Sequence, residues 1–477
     1  MTYLIAIFVY LFILTGIGIY KSRQVKTQQD FAVAGRTLSP WIMVLTMLAV
    51  WIGTGSIVGN AEEAYRTGAA ALVIPFGTFA GMILLSLIAT RARNIEATSV
   101  PEIIGSRFGP VARLLAVIAL IMAYMVIVSY QFNAGGAVIE VISGYTVNKE
   151  TATIIAASFI IVYTMLAGLK SLASMDIVTG TIITISLLIA FPVLLIKAGG
   201  FAGMQAAYEA MEGHSSHMQF WGVYSPVQII NYLLPTFLLV MGDANQYQRI
   251  FASRNAQGAK RAVIVLIFAA LMIELLIIGS AWIAGSMTPD PANGKYILIY
   301  AARHHMPFTL GIFFMITIVG VIISTADSFL LVPATTFIND VYSTYINPKA
   351  SQKRVIFISR ILVLGFGIIA YLVTHAFAET TGFFKKALYA YTIYGSAITP
   401  SLVAAMFWKK ATKTGAVCSI VTGTIVTLLW SEVAFIRNSL PVDLAELDAV
   451  LPAITLSVIC LFVVSLLTQK RHSAESK

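Results

Sequence analysis

Charge and cysteine are what this chain is short of. Only 11% of its 477 residues are Asp, Glu, Lys or Arg, less than half of the ~25% usual in soluble domains. That excludes a well-solvated globular surface over most of the length. The two cysteines, Cys418 and Cys460, sit in apolar stretches and supply neither a disulfide framework nor metal-ligand spacing. The six histidines (His214, His217, His304, His305, His375, His472) fall in loops or near ends, so no nucleophile–base pair or transition-metal cluster assembles. No catalytic residues, and no enzyme, are expected. A soluble module with a basic face is missing too, which excludes nucleic-acid partners despite a net charge of +10. The chain shows no low-complexity segment.

What is present in quantity is apolar. Hydrophobic residues make up 58% of the chain and the mean hydropathy is +0.86. They fall into blocks near the ~20 residues that span a bilayer as a helix. Thirteen are predicted, at 2–20, 41–65, 70–90, 110–143, 151–169, 176–197, 226–247, 262–285, 307–340, 356–375, 385–408, 414–435 and 448–468. The expected class is an all-α integral membrane protein with lipid as its surroundings. The first block lacks a basic leader and a cleavage site, so it is read as a mature helix. The loops at 198–225 and 286–306 are long enough for short helices or a gate.

With the N-terminus outside, 23 of the 31 Lys and Arg residues fall in cytoplasmic loops or the C-terminal tail. Eight fall opposite: Arg66, Lys149, Lys197, Lys295, Arg303, Lys385, Lys386 and Arg437. This is the positive-inside bias, and it predicts an external N-terminus and a cytoplasmic C-terminus. The net charge belongs to that membrane face.

Within the apolar run 308–332 stands Ser324-Thr325-Ala326-Asp327-Ser328. An acid at that depth needs a partner or a wet cavity. Helical spacing puts Ser324, Asp327 and Ser328 on roughly one face, with Thr325 beside them. Oxygen-only ligands suit a hard cation such as sodium. The alternative is that the hydroxyls bond back to carbonyls one turn earlier. Two other spans are built to break. Gly53, Gly55 and Gly59 interrupt the second, while Pro235 and Gly242-Asp243 interrupt the seventh. Interrupted helices at matching places in two halves point to a transporter site. Each opens a set of five spans, 41–197 and 226–408, and an odd number inverts the second set. Residues 1–40 would form a leading helix and loop, and 409–477 two final helices with a tail.

These residues resemble the sodium:solute symporters over nearly the whole chain. Tyr163-Thr164-Met165-Leu166-Ala167-Gly168-Leu169-Lys170, with Met175-Asp176, is similar to that family's YTxxGGLxAVxxTD loop. Gly242-Asp243-Ala244-Asn245-Gln246-Tyr247-Gln248-Arg249, followed by Ala252 and Ala259-Lys260, resembles its GxxxQxxQRxxA…AK signature. Ser324-Thr325 with Asp327-Ser328 resembles its ion-binding helix. The resemblance implies a 5+5 inverted repeat, an extra leading helix and Na+ as coupling ion. It implies a main sodium site at the carbonyls of Ala49, Ile52 and Val321 with the hydroxyls of Ser324 and Thr325. Some members hold a second sodium, for which Asp176, Ser324, Asp327 and Ser328 occupy the positions, Asp327 in place of a frequent serine. Asp176 and Asp327 could bind that ion or a proton, and Asp176 could instead pair with Lys170.

Candidates for the solute pocket are Trp51, Thr54, Ser56, Gln131, Asp243 and Gln246. The stretch from Trp51 to Glu62 is similar to the choline-carrying branch, where tryptophan faces a quaternary amine. Gln131-Phe132-Asn133-Ala134-Gly135-Gly136 resembles carriers of carboxylates such as pantothenate. Asp243 suits an amine, hydroxyl or amide donor, and Trp51 could equally be packing. Glu274, isolated in the eighth span, pairs with a polar group or lines the path. The expected function is sodium-coupled import of a small solute by alternating access. Proton coupling through Asp327 or Asp176 is the rival, as is a solute sensor, for which the nine residues after 468 leave no output domain. Oligomeric state is not legible.

Overall fold

In lipid every backbone N–H and C=O must find its partner within the protein, which leaves apolar runs little choice but the helix. The computed structural model describes residues 2–22, 27–166, 168–376, 382–433, 435, 439 and 447–475, and within these the chain is helical nearly throughout. Ala167 of the Tyr163–Lys170 motif lies outside the described residues, as do Arg23, Lys26, Arg437 and Lys477 of the charge tally. So do the side chains of Lys21, Lys170, Lys470, Arg471 and His472.

The leading helix α1 (Thr2–Ser22) is followed by a short α2 (Gln28–Val33), started by a Thr27–Asp30 capping box. The first five-span set begins with α3 (Pro40–Trp51), a π-helical turn over Gly55–Asn60 and α4 (Ala61–Thr67). It continues through α5 (Pro75–Asn94), α6 (Val100–Phe108), α7 (Pro110–Ile142), α8 (Lys149–Leu166) and α9 (Leu169–Lys197). After α10 (Gly200–Ala210) the second set runs through α11 (Pro226–Gly242), α12 (Ala244–Ala252), α13 (Ala256–Ser286) and α14 (Ile297–His304). Then come α15 (Phe308–Phe337), prolonged by a wide turn to Ile346, α16 (Gln352–Thr374), α17 (Phe383–Ala397) and α18 (Thr399–Phe407). The last two are α19 (Lys413–Glu432) and α20 (Val450–Glu475). They pack through small polar residues, Ser419 meeting Ser457 at 2.8 Å, a means of close approach where lipid gives no hydrophobic drive.

Among the described residues eleven helical runs are long and apolar enough to cross a bilayer, and α3 with Gly55–Val73, bent by 54°, makes a twelfth. The one expected span left over, 385–408, is divided between α17 and α18, each too short to qualify alone. Phe12, Leu87, Phe268 and Leu467 are exposed on the outer faces, as side chains turned to lipid are. Short helices α10 and α14 occupy the two long loops. In both sets a short helix separates the second span from the third: α6 in one, α14 in the other.

Both predicted interruptions exist. Chain continuity fails at Ile52, which leaves the helix at ψ 97°, and at Asp243, at ψ 112°. Pro235 stays inside α11 without ending it. The Tyr394 hydroxyl stitches the second break, donating to the Gly242 carbonyl at 2.7 Å and accepting from the Ala244 N–H at 3.1 Å. A backbone clip from Leu38 to Ala252 (3.0 Å) and from Arg254 to Leu38 (3.2 Å) ties the entry to α3 against the end of α12.

Candidate ion and solute sites

Where α3 stops, its last carbonyls lose their helical partners and turn toward α15. The Thr325 hydroxyl donates to the Ile52 carbonyl at 3.2 Å, and Ser324 Oγ stands 3.4 Å from the Ala49 carbonyl. Val321, one turn before Thr325, is fully buried. Two ligands at right angles around a cation that each holds at about 2.4 Å stand about 3.4 Å apart, so these spacings match a shared small ion. Gly53 makes the approach feasible: a Cβ there would lie 2.8 Å from Thr325 Cγ2 and 3.1 Å from its hydroxyl. The donor set is neutral oxygen throughout, as sodium prefers.

Ser324 has a stronger claim on its proton elsewhere. Its hydroxyl lies 2.6 Å from Asp176 Oδ1 on α9, much closer than to Ala49. With the proton committed there, the serine lone pairs are left for an ion. The second Asp176 oxygen takes Arg249 Nη2 at 3.2 Å, and the same nitrogen donates to Ser328 Oγ at 2.8 Å. Arg249 is fully buried and also donates through Nη1 to the Asn245 carbonyl at 3.2 Å. This bears on three expectations. Asp176 is paired with Arg249, while the side chain of Lys170, its alternative partner, lies outside the described residues. Arg249 is a core cation and not a loop residue, because α12 carries the seventh span beyond 247. Ser324 and Ser328 meet the Asp176–Arg249 pair, and Asp327 accepts from Thr164 on α8. A guanidinium thus stands among the four residues expected to share a second sodium.

The six solute candidates do not form one pocket. Trp51 and Ser56 line a narrow cavity of about 20 Å³ together with Asn60, Glu274, Phe384 and Tyr391. Thr54 instead donates to Gln131, behind Gly53. Asp243 is used by the second break, capping the Asn245 N–H at 3.1 Å and accepting from the Tyr124 hydroxyl. Gln246 donates to the Met47 carbonyl at 3.3 Å. Glu274, left open between two roles, has both: it accepts from Ser56 and Asn60 and faces the cavity. Sequence reasoning missed Arg249, Asn60, Tyr124 and Thr164. Three had visible signals, since Arg249 and Thr164 stand within the quoted motifs and Asn60 follows Ser56 by one helical turn.

The sequence model of the sodium:solute symporter family matches residues 31–423. The osmoregulated proline transporter OpuE of Bacillus subtilis is 23% identical, over 99% of this chain and 96% of its own length. A sodium/proline symporter of Haemophilus influenzae is 23% identical over 98% and 95%. A solved substrate-bound, outward-open Na+-coupled sialic acid symporter shares the fold at TM-score 0.81 and 17% identity, covering 98% of both chains. The nucleobase-cation-symport-1 transporter Mhp1 is similar at TM-score 0.56 and 11% identity, over 92% and 95%. On this footing the chain belongs to the sodium:solute symporter family, integral membrane carriers rather than enzymes, and couples sodium to the movement of a small solute.

Proposed function

We propose that one sodium binds where the broken α3 meets α15, held by the Ala49, Ile52 and Val321 carbonyls and the Ser324 and Thr325 hydroxyls. The observation that carries this is the pairing of oxygens across the break, Ser324 Oγ with the Ala49 carbonyl at 3.4 Å and the Thr325 hydroxyl with the Ile52 carbonyl at 3.2 Å. The ion bridges the first set, 41–197, to the second, 226–408, and stabilises the outward-open solute site. Its loss into a sodium-poor cytoplasm frees the solute. The matched placement of α6 and α14 supports reading the two sets as inverted repeats. The N-terminus faces outward, and the membrane is the bacterial cytoplasmic one, as the bacterial relatives suggest. By the names of those relatives the solute is proline-like, and the cavity of Trp51 and Ser56 is its entry to the core.

A second ion finds less support, since Arg249 already neutralises Asp176. Asp327, which accepts from the Thr164 hydroxyl and has the Asp176 carboxylate near it, suits a proton better than a second sodium. The test is uptake of labelled proline into vesicles containing purified protein. Uphill accumulation driven by an inward sodium gradient is expected, with none on a matched potassium gradient. Equal accumulation on both overturns the sodium site.

A further inference from the structure

Taking a carboxylate out of water is costly unless a cation or a full set of donors replaces the hydration. Glu274 on α13 is 2% exposed. Its Oε1 accepts from Ser56 at 2.5 Å and its Oε2 from the Asn60 amide at 2.9 Å. Both donors are neutral, and a carboxylate offers about four acceptor positions, so half its capacity is unused. The fully buried Arg249 is committed elsewhere, to Asp176. Among the described residues no hydrogen bond joins Glu274 to Ser324 or Thr325.

The surroundings are aromatic. Trp51, Phe384 and Tyr391 wall the same cavity, and the buried Trp51 Nε1 stands by the carboxylate without reaching hydrogen-bond geometry. Aromatic faces around an acid favour a positively charged guest and disfavour an anion. The cavity, about 20 Å³, admits only a water-sized group, and a Cβ on Gly55 would lie 2.5 Å from the Tyr391 hydroxyl.

We propose that Glu274 is the specificity-determining acceptor for a protonated amine on the solute, with Trp51 and Tyr391 flanking that cation. The proposal rests on the solute pocket described above and adds the charge of the group it selects. An acid lacking the amine would leave Glu274 as poorly matched as before and be rejected, because unmet buried polar groups are what enforce such discrimination.

The experiment is thermal melting of the purified full chain in sodium and in potassium, for wild type and Glu274→Gln. The probes are the L-amino acids and, for each that binds, its amine-free isostere, as tetrahydro-2-furoate is for proline. Sodium-dependent stabilisation confined to amine-bearing probes is expected. Glu274→Gln should weaken it at least about tenfold, the scale of a charge-assisted hydrogen bond, while keeping the shift due to sodium alone. That retained shift shows the variant is folded. Isosteres binding as tightly as amines overturn the proposal, as do no amino acid binding at all or an unchanged Glu274→Gln. Loss of the wild-type sodium shift strikes the coupling ion instead and leaves the Glu274 comparison separately readable.

Discussion

A serine has one proton, and Ser324 has two acceptors for it. Because Asp176 wins by distance, removing the hydroxyl takes away both an ion ligand and a carboxylate's partner. Ser324→Ala is therefore expected to raise the sodium concentration for half-maximal uptake at least about tenfold, and Thr325→Ala to do so by less, read from initial rates across a sodium series. Arg249→Met should be harsher. It strands the Asp176 charge in the core at about 3–5 kcal/mol, whereas the double change Asp176→Asn with Arg249→Met should recover much of the loss on thermal melting. Ser324 and Thr325 were legible because hydroxyls in a continuous apolar run stand out. The role of Arg249 was not, since a cation at the edge of an apolar run reads as interfacial and only the third dimension shows what covers it.

At the scale of elements, both helix interruptions were readable from glycine and Gly-Asp placement. The π-helical turn over Gly55–Asn60 was not, because no residue type announces a change of hydrogen-bond register. Asp243 caps α12 and accepts from the Tyr124 hydroxyl, so its carboxylate already serves the second break. Asn caps a helix as well as Asp, so Asp243→Asn should nearly keep the melting temperature, while Asp243→Ala should lose about 1–2 kcal/mol. A second element-scale expectation concerns the loop after α10. The His217 ring donates through Nε2 to the Tyr65 carbonyl at 3.1 Å, and its own carbonyl takes the Ala69 N–H at 2.8 Å. Burial pushes this imidazole below its usual value, so the docked loop favours the neutral ring. The tie is fully present above the ordinary imidazole pKa of about 6.5 and weakens as the pH falls below it. Protection factors over 211–225, taken against the intrinsic exchange rate at each pH, should fall on acidification in the wild type and respond less in His217→Gln.

For the molecule as a whole, composition alone told the class, since long apolar blocks with so little charge leave few alternatives. It could not tell that the six solute candidates divide among four arrangements, because faces of separate helices are assigned only by packing. Coupling also belongs at this scale. One sodium moving with a neutral or zwitterionic solute draws about 2.3 kcal/mol from a 100 mV potential, enough for roughly fiftyfold accumulation with no sodium gradient. Vesicles clamped at that potential should approach this ratio. A value near its square would require a second charge per cycle and reopen the case for an ion beside Asp327.

The acid at position 176 knots three separate rods, α9 through its own backbone, α15 through Ser324 and α12 through Arg249. Such a knot cannot be slackened one strand at a time: sliding any rod tears a charge-bearing bond in a medium with nothing to replace it. Partial separation of the three is thereby penalised, and they hold or yield as a unit.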